Sequence, residues 1–185
     1  MTHFSKLEKI AELGALSRFS IIFSFMAAPL VQVYGPRFSR EGKSKNLKNL
    51  FFKLFIGYFL VNLGIICFAY FFAEYFLLLL GANYGNLREE FIFFIIFQSI
   101  YSLTGVSNTL KGAKAWTDYL NWNIPCSLFL QLFFCFFLDL TNLKSYIFWF
   151  ALPVMSEMAL GLLAIQKNLT GLEQSENAPK VQRIE

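Results

Sequence analysis

Glu157 is the one acidic residue near the middle of a long apolar stretch, 145–166. Placing a charge at the centre of a helix in lipid costs on the order of 2.5 to 3.5 kcal/mol on insertion scales. A carboxyl there needs a partner or a watery cavity, so Glu157 is a candidate contact for a proton, a cation or a substrate. The plainer alternative is a helix shifted along its axis, which leaves Glu157 near one end. A second set of polar and small residues comprises Gln98, Tyr101, Ser102, Gly105, Asn108 and Thr109, recurring at three- and four-residue steps. They share one helical face. Such a face either lines a cavity or packs on another helix through small and polar side chains. Arg18 is the third candidate. It lies six residues inside the first helix if that helix begins near Glu12, as a snorkelling cation or as a lining for an anionic substrate. Asn62 and Gln131 are weaker examples of the same kind.

These residues do not compose a familiar catalytic centre. No glycine-rich phosphate loop is present, no Ser/His/Asp order has a usable His, and no two carboxylates are set at a defined spacing. Expectation is therefore against an enzyme and against a cofactor. His3 stands alone in the polar N-terminal segment, and Cys67, Cys126 and Cys135 lack metal-ligand spacing. The cysteines fall inside apolar stretches and read as buried thiols acting as small hydrophobes.

The elements that must position the candidates are membrane helices. Of 185 residues, 56% are hydrophobic and 15% charged, with 24 Phe, and the mean hydropathy is +0.51. A water-soluble domain of this size could not bury so much apolar surface. Crossing the hydrocarbon takes roughly 20 apolar residues. Uncharged gaps of 18, 20, 20 and 20 residues separate Arg18 from Arg37, Lys53 from Glu74, Glu90 from Lys111 and Asp118 from Asp139. A fifth stretch, Ser145 to Gln166, is 22 residues long and broken only by Glu157. The expected fold is an all-α integral membrane bundle of about five spans, near 15–36, 51–73, 91–110, 119–138 and 145–166. The bundle covers 1–167, and 168–185 reads as a disordered cytoplasmic tail. Pro29 and Pro153 interrupt the first and fifth spans, and Gly81-Ala82-Asn83-Tyr84-Gly85 forms a turn after the second.

Lysine and arginine are unevenly divided between the two sides. One side holds Lys6, Lys9, Arg18, Arg88 and Lys144, five in all; the other holds eleven, six of them in the basic loop from Arg37 to Lys53. The positive-inside rule makes the richer side cytoplasmic, with the C-terminus inside and the N-terminus outside. The same rule, with anionic lipid, accounts for the basic loop without nucleic acid. A chain that starts outside with no signal sequence and three positive charges fits better as a fragment preceded by further helices. Trp116, Tyr119 and Trp122, and then Tyr146 and Trp149, read as interfacial anchors.

Short motifs carry a resemblance. Leu13-Gly14-Ala15-Leu16-Ser17-Arg18-Phe19 leads into a span with a central proline, which exits through Pro36-Arg37-Phe38-Ser39-Arg40. A basic stretch, a long span and Leu78-Leu79-Leu80-Gly81-Ala82-Asn83-Tyr84 follow. This arrangement resembles the multidrug/oligosaccharidyl-lipid/polysaccharide flippase superfamily, in its polysaccharide (O-antigen-type) branch, over most of residues 10–167. Members of that superfamily have twelve helices in two six-helix bundles with both termini inside. The resemblance implies that these spans correspond to helices eight to twelve, in the C-terminal lobe. It further implies a C-terminal portion of a lipid-linked oligosaccharide flippase of a bacterial inner membrane. Its partners would be the lipid bilayer, a lipid-linked glycan and a missing N-terminal helical bundle, with Arg18 and the Gln98 face lining the path. Alternatives are a drug or cation antiporter of the same superfamily coupled through Glu157, and a small non-transporting membrane protein that pairs with a partner bundle.

Overall fold

A computed structural model describes residues 2–117, 119–138 and 142–177. Helix α1 (Thr2–Ser17) is followed by α2 (Ser20–Arg40), α3 (Ser44–Phe71), α4 (Ala73–Leu80), a 3₁₀ turn (Ala82–Leu87), α5 (Arg88–Ala113), α6 (Leu120–Cys135) and α7 (Leu143–Asn177). No strand occurs among the described residues. Four helical stretches are long and apolar enough to cross a membrane: Ala11–Arg40, Ser44–Phe71, Tyr84–Ala113 and Leu143–Gln174. The chain is an all-α bundle with the make-up of a membrane protein.

Helix α5 is the hub. Half of its most apolar window is buried, against less than a quarter for each of the other three long helices. It packs against α2, α3 and α7, whereas α6 leans mainly on α7. Two apolar clusters occupy the two ends of the bundle. One gathers Leu16, Phe23, Ala73, Leu77, Phe91 and Ile147. The other gathers Phe38, Leu47, Phe51, Leu110, Ile165 and Leu169. Large aliphatic and aromatic side chains on the remaining faces stay exposed, as in Phe25, Leu79 and Phe136. Hydrocarbon is as apolar as those side chains, so leaving them outside costs nothing in a bilayer.

Polar contacts fix which loops share an end. At the basic end the Lys114 ammonium donates to the carbonyls of Ser39 (3.0 Å) and Glu41 (2.6 Å). At the other end Lys144 pairs with Glu89 and lies 3.9 Å from Glu90, and Arg88 lies 3.8 Å from Glu74. The pairs Lys144–Glu89 and Asn108–Glu157 show that α5 and α7 run parallel. Helix α6, between them in the chain, therefore runs back along the bundle.

Local chemistry explains the breaks. The chain bends at Phe72 (φ −108°, ψ 16°), so the second expected span, 51–73, lies almost wholly in α3 and the apolar run after it forms the separate α4. Gly81, at φ +126°, stops α4 in a backbone region that favours glycine; its N–H donates to Leu77 and Leu78 carbonyls. Helix α2 runs through Pro29 and Pro36, each removing one backbone donor from the ladder.

Three expectations need amending. The fourth expected span, 119–138, contains only the 16-residue α6, about 24 Å long against roughly 30 Å of hydrocarbon. After Cys135 the backbone tightens into i→i+3 bonds from Phe136 to Phe133 and from Phe137 to Phe134. An uncharged gap measures apolar length, not helical length; Asp118 and Asp139, which bound it, lie outside the described residues. The cysteines are exposed, not buried: a thiol is apolar enough to face lipid, so hydrophobicity alone could not say which face it takes.

The third concerns the tail, expected to be disordered from 168. Helix α7 instead continues to Asn177, and 178–185 lie outside the described residues. The extension is held by tertiary contact. Ile165 and Leu169 are buried in the basic-end cluster, and the Ser44 hydroxyl donates to the Leu169 carbonyl at 3.1 Å. Leu169→Ala should therefore cost about 2–5 kcal/mol, as for a buried leucine. Leu163→Ala, nearly two turns earlier and outward-facing, should change stability by less than about 0.5 kcal/mol. Reversible unfolding of the purified protein in detergent measures both.

Candidate functional site

Midway between the two apolar clusters lies a level of polar groups. Tyr58, which is fully buried, donates its hydroxyl to the Phe23 carbonyl (3.2 Å) and also bonds the Ser102 hydroxyl. That one phenol ties α2, α3 and α5 together. One turn along α3, the Asn62 side-chain amide donates to the Tyr58 carbonyl at 2.8 Å. The Asn62 Oδ1 is buried with no hydrogen-bond partner among the described residues. An unmatched buried acceptor is unfavourable by about 1–3 kcal/mol, which marks it as a place that a water or a polar ligand group would satisfy.

Beside this level α2 and α5 enclose a cleft of about 240 Å³. Gln98, Tyr101, Ser102, Gly105 and Thr109 line it from α5, and Ser24 adds a hydroxyl from α2. The cleft is open: Tyr101 is 55% exposed, and Ser24, Gly105 and Thr109 are exposed as well. The Thr109 hydroxyl bonds the Gly105 carbonyl (3.0 Å) and the Ser24 hydroxyl bonds the Ser20 carbonyl (3.4 Å). Such back-bonding lets hydroxyl groups sit at an apolar surface without an external partner.

Asn108 belongs to the same stripe by spacing but turns away from the cleft. Its side-chain amide donates to the Glu157 carboxylate at 2.6 Å, and its Oδ1 accepts from the Tyr119 hydroxyl at 3.1 Å. Glu157 thus has a partner inside the bundle. Asn108 lies five residues before the end of α5, so this contact is about 7 Å from that helix's basic end rather than at its middle. Arg18 stands apart from both groups, exposed at the break between α1 and α2.

Lys111, which the charge spacing leaves just outside the third expected span, 91–110, is buried in the structure. It sits in the last turn of α5 at 2% exposure, and its ammonium has no hydrogen-bond acceptor among the described residues. The Nζ lies 3.8 Å from the centroid of the Tyr119 ring, a cation–π contact. The backbone of Gly161 makes room for it, since a Cβ at 161 would overlap the ammonium. Glu157 supplies the nearby opposite charge. Spacing does contain this cluster: Asn108 and Lys111 are three apart on α5, and Glu157 and Gly161 four apart on α7. What spacing lacks is the pairing of α5 with α7.

The turn after α5 brings Tyr119 back over the lysine. Ala115 adopts φ +55°, and the N–H groups of Ala115 and Trp116 donate to the carbonyls of Gly112 and Lys111 (both 3.0 Å). These are the two bonds of a helix-ending motif that normally has glycine at the left-handed position.

Comparison with protein-family models, with curated proteins and with solved structures returned no match to this chain. The polar level and the Lys111 cluster are therefore read on their geometry alone.

Two substitutions test that geometry. Gly161→Ala should destabilise by about 1–3 kcal/mol, as an added methyl does in a filled site. The penalty should vanish in a Lys111→Ala background, and the double-mutant cycle measures the coupling. Ala115→Gly should stabilise by about 1 kcal/mol by relieving a left-handed alanine, seen as a raised melting temperature.

Proposed function

We propose that the chain forms one wall of a membrane transport path for a polar, lipid-linked substrate, as a C-terminal portion of a glycan flippase. The observation that carries this reading is the open α2–α5 cleft. Five polar or small α5 positions, Gln98, Tyr101, Ser102, Gly105 and Thr109, line a space with no covering helix among the described residues. A polar cleft gains nothing from lipid; it is favoured facing water, a polar substrate or a second bundle. Transport by alternating access works at the interface between two helical bundles, and this cleft supplies one side of such an interface. The second side would come from an N-terminal bundle, and the asymmetry of lysine and arginine favours a cytoplasmic basic end in the inner membrane of a bacterium.

The test is export of surface glycan in cells whose chromosomal copy is replaced by variants. Ser102→Leu and Gly105→Leu fill the cleft and should reduce export severalfold while the protein still reaches the membrane, with lipid-linked glycan accumulating on the cytoplasmic side. Export at the parental level in both variants would sink the reading.

A cation-coupled exporter is the second reading, favoured by the Asn108–Glu157 bond with Lys111 alongside. In that case Glu157→Gln should abolish ion-driven substrate efflux from proteoliposomes, whereas a glycan flippase would retain its flux.

A further inference from the structure

The outward face of α3 changes character along its length. Asn46, Asn49, Lys53, Ile56, Leu60 and Leu63 follow one another at steps of three and four residues, and all six are exposed. They form one stripe on a single helical face. From Asn46 to Lys53 the stripe is polar for about 10 Å; from Lys53 to Leu63 it is apolar for about 15 Å. The second length matches half of the roughly 30 Å hydrocarbon thickness, and the first spans the headgroup layer of about 5–8 Å beside it and reaches beyond.

The polar part does not stand alone. Across from it, Arg37 and Arg40 project from the last turn of α2, and the two helices enclose an open groove of about 530 Å³ lined by Arg37, Arg40, Asn46, Asn49 and Lys53. None of these three cations makes an ion pair among the described residues. The one acidic neighbour in the groove, Glu41, is engaged locally. Its Oε1 accepts from the Lys43 N–H (3.4 Å) and from the Asn46 side-chain amide (3.3 Å). Two guanidinium groups, an ammonium and two carboxamides therefore offer donors to an anion of the size of a phosphate or diphosphate.

We propose that this stripe and groove bind one membrane lipid with a phosphate or diphosphate headgroup. The headgroup sits between Arg37, Arg40 and Lys53, and a chain lies along Ile56, Leu60 and Leu63. Phosphate chemistry is common to a lipid and to a soluble anion. The apolar half of the stripe assigns the lipid, because a free anion has no use for it. Binding of this lipid is independent of the transport reading: retention of lipid without glycan export, or export without retention, separates the two.

The full chain in phosphatidylcholine nanodiscs doped with phosphatidic acid provides the test, with retained lipid counted by native mass spectrometry. Arg37→Gln with Arg40→Gln should lower phosphatidate retention more than tenfold, since each guanidinium removed takes a charge-assisted hydrogen bond from the headgroup. The control pair Lys43→Gln with Lys45→Gln removes the same charge from exposed positions outside the groove and should change retention less than twofold. Ile56→Asn with Leu60→Asn should also weaken retention, and inorganic pyrophosphate should fail to displace the lipid. Melting temperatures of the arginine and lysine pairs should stay within the parental range, since all four side chains are exposed. Equal losses in the arginine and lysine pairs would show diffuse charge attraction and overturn the proposal. Displacement by pyrophosphate with no effect of the Ile56/Leu60 pair would show a soluble-anion site, and would overturn the lipid assignment.

Discussion

Hydrocarbon offers a polar side chain no partner, so a hydroxyl, amide or charge within the membrane is costly unless another part of the protein matches it. Helix α5 bears most of that burden. Gln98, Ser99, Ser102, Thr104, Ser107 and Lys111 are all buried on it, which is possible only because α2, α3 and α7 surround it. The Tyr58 hydroxyl joins three of these helices at mid-level, and Asn108 with Glu157 joins α5 to α7 nearer the basic end. Apolar clusters above and below supply the packing, but packing against lipid-like surfaces discriminates poorly between arrangements. The polar bonds set the register of one helix against the next.

The same demand sorts the exposed polar groups. Those of the α2–α5 cleft are exposed between two long apolar helices, with no helix over them among the described residues. Those at the basic end gather with Arg37, Arg40 and Lys53 in the α2–α3 groove. The cleft and the α2–α3 groove are thus two sites of different chemistry on one bundle: the first neutral and rich in hydroxyls, the second strongly cationic.

Lys111 shows how much one helix pairing can change the meaning of a residue. In the sequence it closes an uncharged gap and reads as a loop cation. In the fold its stem follows α5 into the interior, Gly161 yields the space, and the left-handed turn at Ala115 swings Tyr119 over the ammonium. A buried ammonium without a hydrogen-bond acceptor is unfavourable, and the ring face together with the Glu157 charge offsets part of that cost. Backbone strain at Ala115 beside this cluster fits a turn held by what it positions.

Composition and charge spacing alone determined that the chain is helical and built for a membrane, because the length and polarity of apolar runs are local properties. They also determined that Gln98, Tyr101, Ser102, Gly105 and Thr109 share a face, since helical periodicity is fixed by the backbone, and that one end of the bundle is basic. Tertiary structure alone decided that Asn108 leaves that face for Glu157, that Lys111 is buried, that α7 stays helical to Asn177, that the cysteines face outward and that α6 is short. Each of these depends on which helix lies opposite, and helix pairing is set by contacts between residues far apart in the chain, which no local pattern encodes.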